Sequence, residues 1–369
     1  MSHEINYGFE TLQIRGGYDP KKHNYACTVP IYQTASFNLG DTDRLERIKS
    51  KEEHGFLYTR SGNPTLDILE KRITALEGGT ASLAVASGMA AVAYSILNLT
   101  EGGGEIVAVK SLYAGSYNLL THTLPKFGIR VNWVEDHGNV ESFKRAITEN
   151  TKGIFIESIG NPLMNILDIE NIANIAHEQF IPLVVDNTFA TPYLLKPFDF
   201  GADIVVYSST KALGGHGSTI GGLIVESGKF DWSSGKFSHF TEPDYKLDNE
   251  NLVEKFPEVA FTTRARTHYL SEFGAVLSPF DAFLILEGLE SLSIRVEREV
   301  RNTHIIVNYL LNHSLVEWVN YPAAPSNINP NNRELVEKYF PKGPGTIFTF
   351  GFKGNQNNIN KFLNSLKIY

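Results

Sequence analysis

A single cysteine, Cys27, stands among the 369 residues. No disulfide can form within the chain, which suits a reducing compartment. Set between Ala26 and Thr28, that thiol has no activating neighbour in the sequence and reads as inert rather than nucleophilic. No apolar run approaches the roughly 18 residues that a membrane-spanning helix needs. The N-terminus, MSHEINYGFETLQIRGG, lacks a basic segment followed by an apolar core, so no secretion signal is expected. Basic charge is scarce as well. Lys and Arg total 33 against 41 Asp and Glu, a formal net charge of −8, and no basic field exists to hold a nucleic-acid backbone. Pairs such as Lys21-Lys22 read as solvated surface. No His or Cys pair has strong zinc-ligand spacing. The expectation is a cytosolic protein with neither nucleic-acid nor membrane partners.

What is present is an ordinary globular composition, 42% hydrophobic and 20% charged, in a chain long enough for two or more domains. Residues 1–60 hold few periodic apolar stretches and read as an extended arm. From 61 to 257, short β-branched runs alternate with amphipathic helices. Strand-like runs at Ala81-Ala86, Ile106-Val109, Gly153-Glu157, Ile181-Asp186, Asp203-Ser208 and Gly221-Val225 are interleaved with helical stretches at Met89-Leu99, Ser116-Phe127 and Ile169-Gln179. Such alternation predicts an α/β fold, a mostly parallel sheet covered by helices on both faces. From Ser278 the spacing predicts one long helix leading into a smaller domain, 258–369, with a strand at Thr346-Phe352 and a helix at Asn358-Leu366. Arg295, Arg298 and Arg301 recur at helical spacing and read as one solvated face. Little sequence remains before Tyr369 to cover that last strand, so the domain reads as unfinished.

In parallel sheets, ligands bind beyond the carboxyl ends of the strands. Here those ends read Ala86-Ser87-Gly88-Met89, Glu157-Ser158, Asp186-Asn187-Thr188 and Ser208-Ser209-Thr210-Lys211. A lysine after a strand is commonly just a solvated loop residue. Three features favour another role for Lys211. The hydroxyls of Ser208 and Thr210 precede it and suit an anion. Gly214, Gly215 and Gly217 follow it and permit close backbone approach. Asp186 ends the neighbouring apolar run IPLVVD, where an unpaired carboxylate would be costly. A lysine, a buried carboxylate and an anion site together suit pyridoxal phosphate, which needs a Schiff-base lysine and an acidic partner for its ring nitrogen. A partly desolvated Lys211 would also deprotonate more readily. For the phosphate, the stretch VASGMAAVAYSILNL predicts a strand, a turn and a helix whose first free amides, at Gly88 and Met89, form an anion site. Ser87 either caps this helix or joins the phosphate site, and the hydroxyls at 208 and 210 favour the second. The glycine-rich GGHGSTIGG matches neither a P-loop nor a dinucleotide fingerprint.

With these residues in view, the chain resembles the Cys/Met-metabolism family of pyridoxal-phosphate-dependent enzymes. The resemblance rests on YTRSGNPT (58–65), ASGMAA (86–91), SLYAGSYNL (111–119), ESIGNP (157–162), DNTFATPYLLKP (186–197) and SSTKALGGHG (208–217). Within the family it is most similar to the O-acetylhomoserine sulfhydrylases, through LERIKSKEEHGFLYTR, FDWSSGKFSHFTEPD, LSPFDAFLILEGLESLSIR and VEWVNYP. The resemblance implies an aspartate-aminotransferase-like fold. It makes Lys211 the Schiff-base lysine and Asp186 the partner of the ring nitrogen. Gly88, Met89, Ser208 and Thr210 would bind phosphate. Tyr113 would stack on the ring and assist proton transfer or leaving-group departure. Tyr58 and Arg60 would reach the phosphate in a neighbouring copy, implying a homodimer or a dimer of dimers. Glu157 and Asn161 would line the substrate side. The packing alternative for Tyr58 and Tyr113, and a surface ion pair for Arg60, are the plainer readings of those residues.

The implied reaction is replacement of the acetate of O-acetyl-L-homoserine by sulfide or methanethiol, giving homocysteine or methionine in methionine biosynthesis. A γ-lyase or a cystathionine-forming or -cleaving enzyme is the alternative, as is a cofactor-binding chain without catalysis. Two departures from the family pattern stand out. DYKLDNENLVEKF, 244–256, lacks the Ser-Tyr-His-Gly segment of the sulfhydrylases. The family also continues past the position of Tyr369 and supplies a carboxylate-binding arginine there. The expectation is that the natural protein extends further or that a chain of this length is truncated and impaired.

Overall fold

The computed structural model describes residues 7–49, 52–53, 55–325 and 332–368. Tyr369, and part of the 1–60 segment, lie outside the described residues. At the centre is a seven-stranded sheet of β1 (Ala81–Val85), β2 (Glu105–Val109), β3 (Arg130–Val134), β4 (Thr151–Glu157), β5 (Leu183–Asp186), β6 (Ile204–Ser208) and β7 (Gly222–Glu226), in the order β1-β7-β6-β5-β4-β2-β3. Strands β3, β2, β4, β5 and β6 are parallel neighbours. β7 runs antiparallel to both β6 and β1, so β1 points the same way as β6. The residues dictate this layering. LVVD and IVVYS are buried along nearly their whole length, as strands covered on both faces must be.

The antiparallel β7 follows from chain length. A parallel return requires a crossover of a dozen or more residues, usually a helix. Between Ser208 and Gly222 the chain makes only turns, and it therefore folds straight back. Lys211 lies in this connection, held at the carboxyl edge of β6. Lys211 N donates to Ser208 O at 3.2 Å, Gly214 N to Ser209 O at 2.9 Å and Gly215 N to Lys211 O at 2.8 Å.

Helix Pro64–Glu77 starts cleanly because Asn63 caps it, accepting from Thr65 N at 2.9 Å, with Pro64 in the first turn. It stops at Gly78, whose φ of +81° suits glycine. Helix Gly88–Thr100 begins directly after β1 and is capped by Ser87, which accepts from Ala90 N at 3.1 Å.

The sequence-based expectations are corrected in five places. The edge strand β3 is absent from them. Its RVNWV alternates and is only partly covered, so no continuous apolar run marked it. The stretch 116–127 is not one regular helix: it passes from α through a π turn at Leu119–Thr123 to a 3-10 turn at Leu124–Phe127, where Pro125 breaks the ladder. The long helix from 278 is two, Pro279–Leu289 and Leu292–Leu311. Gly288 there packs so closely that an added Cβ would lie 2.2 Å from Gly214 O. Arg295 closes the break from inside, with Nη2 donating to Gly288 O at 2.7 Å and Nε to Ser291 Oγ at 3.1 Å. Arg295 is thus turned inward against the lysine loop, while Arg298 and Arg301 remain exposed. The three arginines share no solvated face. The 7–60 segment also carries helices at Phe9–Arg15 and Thr42–Lys49.

The chain after 311 adds a two-stranded antiparallel sheet, Val316–Asn320 with Thr349–Phe352, and a helix at Gln356–Ser365. Among the described residues no helix is long and apolar enough to cross a membrane.

Candidate active site

The carboxyl ends of β1, β4, β5 and β6 meet at one edge of the sheet. Two ladder pairs fix their relative heights: Glu157 lies opposite Asp186, and Ser208 opposite Gly222. A cavity of about 230 Å³ opens there. Ser87, Gly88 and Met89 bound one side of it, Ser208, Thr210 and Lys211 another, and Tyr113, Glu157, Asn161 and Asp186 the rest.

Close packing shapes the anion side. A Cβ on Gly88 would lie 2.6 Å from Ser208 Cβ, and one on Gly222 would lie 2.1 Å from Ser87 O. Only glycines let the helix N-terminus and the β6 end come so near. Ser87 Oγ is committed to its cap, so the capping alternative describes that hydroxyl here. The amides of Gly88 and Met89, in the first turn, have no intrahelical acceptor. Thr210 Oγ1 accepts from Gly221 N at 3.0 Å, which holds the loop across its base. Ser116 Oγ, also on the cavity wall, is buried without a partner among the described residues.

The opposite side is acidic. Asp186 Oδ1 accepts from Thr188 N at 3.0 Å. Loss of water raises the Asp186 pKa, and hydrogen bonds from the Thr188 side chain and amide oppose the rise. Glu157 is held well above the usual carboxylate range, first by burial and then by the charge of Asp186. Its Oε1 accepts the Tyr113 amide at 2.6 Å. Among the described residues, no lysine or arginine pairs with either acid. Two acids on the cavity wall with no salt-bridged cation, on a wall shared with free helix amides, fit a ligand that is cationic at one end and anionic at the other. Pyridoxal phosphate, with its ring nitrogen and phosphate, has that polarity.

Tyr113 is 50% exposed, its ring lying against the Cα of Gly115. Lys211 is exposed in the turn after β6. The partial desolvation expected of Lys211 is therefore not found: the residue lines the cavity but is exposed. Tyr58 and Arg60 are not brought to this cavity. They line a separate groove with Gln33, Thr34 and Leu277. The Arg60 guanidinium lies 5.4 Å from the Tyr58 ring centroid, and its Nη1 donates to Ser271 O at 2.6 Å.

Sequence reasoning passed over Ser116, Phe189 and Ile220, all on the cavity wall, and gave Thr188 no role beyond its place in a strand end. Thr188 and Phe189 come just after Asp186-Asn187, and their place beyond a strand end was the available signal. Ser116 and Ile220 carried none.

Comparison with known proteins identifies relatives. The sequence profile of the Cys/Met metabolism PLP-dependent enzymes matches residues 10–369. An O-acetyl-L-homoserine sulfhydrylase of Leptospira meyeri is 42% identical, over 99% of this chain and 84% of its own length. A homocysteine synthase of Schizosaccharomyces pombe is 43% identical, over 98% and 84%. Among solved structures, a putative O-acetylhomoserine (thiol)-lyase of Campylobacter jejuni, which contains a pyridoxyl-lysine monophosphate, superposes with a TM-score of 0.89. It is 35% identical, over 94% of this chain and 86% of that one.

Proposed function

We propose that this chain, which belongs to the Cys/Met-metabolism family of pyridoxal-phosphate-dependent enzymes, exchanges the acetate of O-acetyl-L-homoserine for sulfide or methanethiol. The products are homocysteine or methionine, with acetate. The observation that carries the reading is the convergence of Lys211, an acid pair with no salt-bridged cation and a free helix N-terminus on one cavity. The choice of substrate is supported by relatives named for it.

Bound pyridoxal phosphate supplies an electron-withdrawing ring that stabilises negative charge at the substrate α-carbon. The chain's residues do the rest. Asp186, fixed by Thr188, keeps a proton on the ring nitrogen. The amides of Gly88 and Met89 and the hydroxyls of Ser208 and Thr210 hold the phosphate, in a cradle that Ser87 shapes by capping. Lys211 Nζ takes the proton from the α-carbon. Tyr113 covers the ring and carries a proton for the departing acetate. Glu157 fastens Tyr113 through its amide, and with Asn161 it bounds the substrate side. Across the reaction the Cγ–O bond breaks, a Cγ–S bond forms, and a sulfide proton leaves with the acetate.

In this reading residues 61–257 bind the cofactor, 258–369 close the substrate side, and the 1–60 arm serves a second copy of the chain in a homo-oligomer. Tyr58 and Arg60, in their separate groove, complete the phosphate site of that neighbour. Mixing Lys211→Ala with Arg60→Ala subunits under exchange conditions is expected to restore part of the lost activity, because a mixed dimer holds one intact site. Persistent inactivity of the mixture contradicts the shared site. The reaction and the lone cysteine suit a cytosolic location.

Gly88→Ala would drive the helix end away from Ser208. It is expected to weaken pyridoxal phosphate binding about tenfold or more, measured by absorbance titration. An unchanged Kd would take Gly88 out of the cradle. For the function itself, purified protein loaded with pyridoxal phosphate should form acetate and homocysteine from O-acetylhomoserine only when sulfide is present. Sulfide-independent release of a keto acid and ammonia would overturn the assignment.

A further inference from the structure

Strand alternation puts Asp186 and Ser208 on the cavity, and it turns their chain neighbours Asn187 and Tyr207 the other way, toward the end of helix Pro64–Glu77. Asn187, Tyr207 and Glu77 are wholly buried there. The hydrogens of this group can be assigned one by one. Asn187 Nδ2 donates to Leu195 O at 2.9 Å and to Tyr207 Oη at 2.8 Å, using both of its hydrogens. A carbonyl cannot donate, so Leu195 fixes which way the amide points. Tyr207 Oη therefore accepts from Asn187, and its own hydrogen goes to Glu77 Oε2. Glu77 Oε1 is buried without a partner. The bonding runs one way, from Asn187 through Tyr207 to Glu77.

The same corner is tied to the cavity through the backbone. Asn187 N donates to Val206 O at 3.0 Å, and Ser208 N to Thr188 Oγ1 at 2.8 Å. A shift of Asn187 moves Asp186 and Thr188, and a shift of Tyr207 moves Ser208 and the start of the lysine loop.

We propose that Glu77, Tyr207 and Asn187 form a positioning chain beneath the strand corner, and that it sets how tightly that corner holds pyridoxal phosphate. The proposal rests on the cofactor reading given above. It assigns Glu77 a neutral carboxyl that accepts the Tyr207 hydrogen. Burial pushes Glu77 up to about 8, partly offset by the Tyr207 hydrogen bond and the charge of Lys196, while Asp199 adds to the rise. The phenol of Tyr207 is pushed up in turn, by burial first and then by Glu77, with Asp186 contributing.

Tyr207→Phe keeps the ring, leaves one Asn187 hydrogen unpaired and strips Glu77 of its donor. It is expected to raise the Kd for pyridoxal phosphate about fivefold or more, and to shift the pH titration of the bound cofactor's visible band. Glu77→Gln keeps an acceptor for Tyr207, and its Kd should stay within about twofold of wild type. Should Tyr207→Phe fail to fold, Glu77→Leu withdraws the acceptor from the same hydroxyl and is expected to match the fivefold loss. A variant that melts earlier yet keeps the wild-type Kd and band titration would overturn the proposal, since the chain would then serve stability alone. Wild-type protein showing no visible band with pyridoxal phosphate would instead refute the cofactor reading.

The protonation of Glu77 has its own check. A carboxyl whose folded pKa lies above its unfolded value stabilises fully below the unfolded value, and it loses that contribution as pH rises through the folded one. Between pH 5 and about 9, wild type should lose denaturant resistance relative to Glu77→Gln. A difference that stays constant with pH contradicts a neutral Glu77.

Discussion

Lys211→Ala is expected to lower turnover about 10³-fold or more while leaving the fold intact. Lys211 is exposed and makes no side-chain hydrogen bond or ion pair among the described residues, so its removal costs no buried contact. The loop backbone keeps its own bonds through Ser208, Ser209 and Gly215. Loss of activity without loss of melting temperature is thus a direct test of chemistry rather than stability. An external amine of small size should recover a fraction of the rate by taking the proton that Nζ no longer takes. Turnover within tenfold of wild type would remove Lys211 from the mechanism.

Asp186→Asn is expected to reach the cofactor through binding and chemistry together. The substitution keeps the size of the side chain and can keep the bond from Thr188, but it removes the charge. A hydrogen bond to a charged group contributes about 1.5–3 kcal/mol, so the Kd for pyridoxal phosphate should rise roughly 10- to 100-fold. Turnover at saturating cofactor should fall by about 10² or more if Asp186 holds the proton on the ring nitrogen as proposed. Glu157 should respond as well. Asp186 is the second cause of its raised pKa, so in the Asn variant the Glu157 carboxyl should ionise at lower pH. Cofactor affinity and rate unchanged from wild type would refute the role given to Asp186.

How far the sequence revealed the site follows from which residues sit where. LVVD and IVVYS are continuous apolar runs ending in polar residues, and such ends are readable because burial on both faces leaves no other pattern. The site residues read from those ends line one cavity, whereas Gly214 and Gly215 after Lys211 pack against Gly288 and Arg295 instead. Other features depend on partners far along the chain. β3 is an edge strand with a half-covered face, which blurs its period. The reversal of β7 depends on the short connection from β6. The inward turn of Arg295 required Gly288 to meet Gly214, 74 positions earlier in the sequence. The exposure of Lys211 and the separate groove of Tyr58 and Arg60 are facts of three-dimensional placement that no local pattern encodes. Glu77 was hidden for the same reason. In LEKRITALEGG it reads as an ordinary surface residue near a helix end, and only the fold puts it under Tyr207.

The central claim is that the edge of the sheet at Asp186, Ser208 and Lys211 binds pyridoxal phosphate and presents it to an amino-acid substrate. The measurement that tests it most directly is the visible absorption spectrum of the purified protein with pyridoxal phosphate, before and after O-acetyl-L-homoserine is added. A yellow band that forms on loading, is absent in Lys211→Ala and shifts with substrate is the predicted result. Absence of any band, or a band equally strong in Lys211→Ala and indifferent to substrate, would contradict the account.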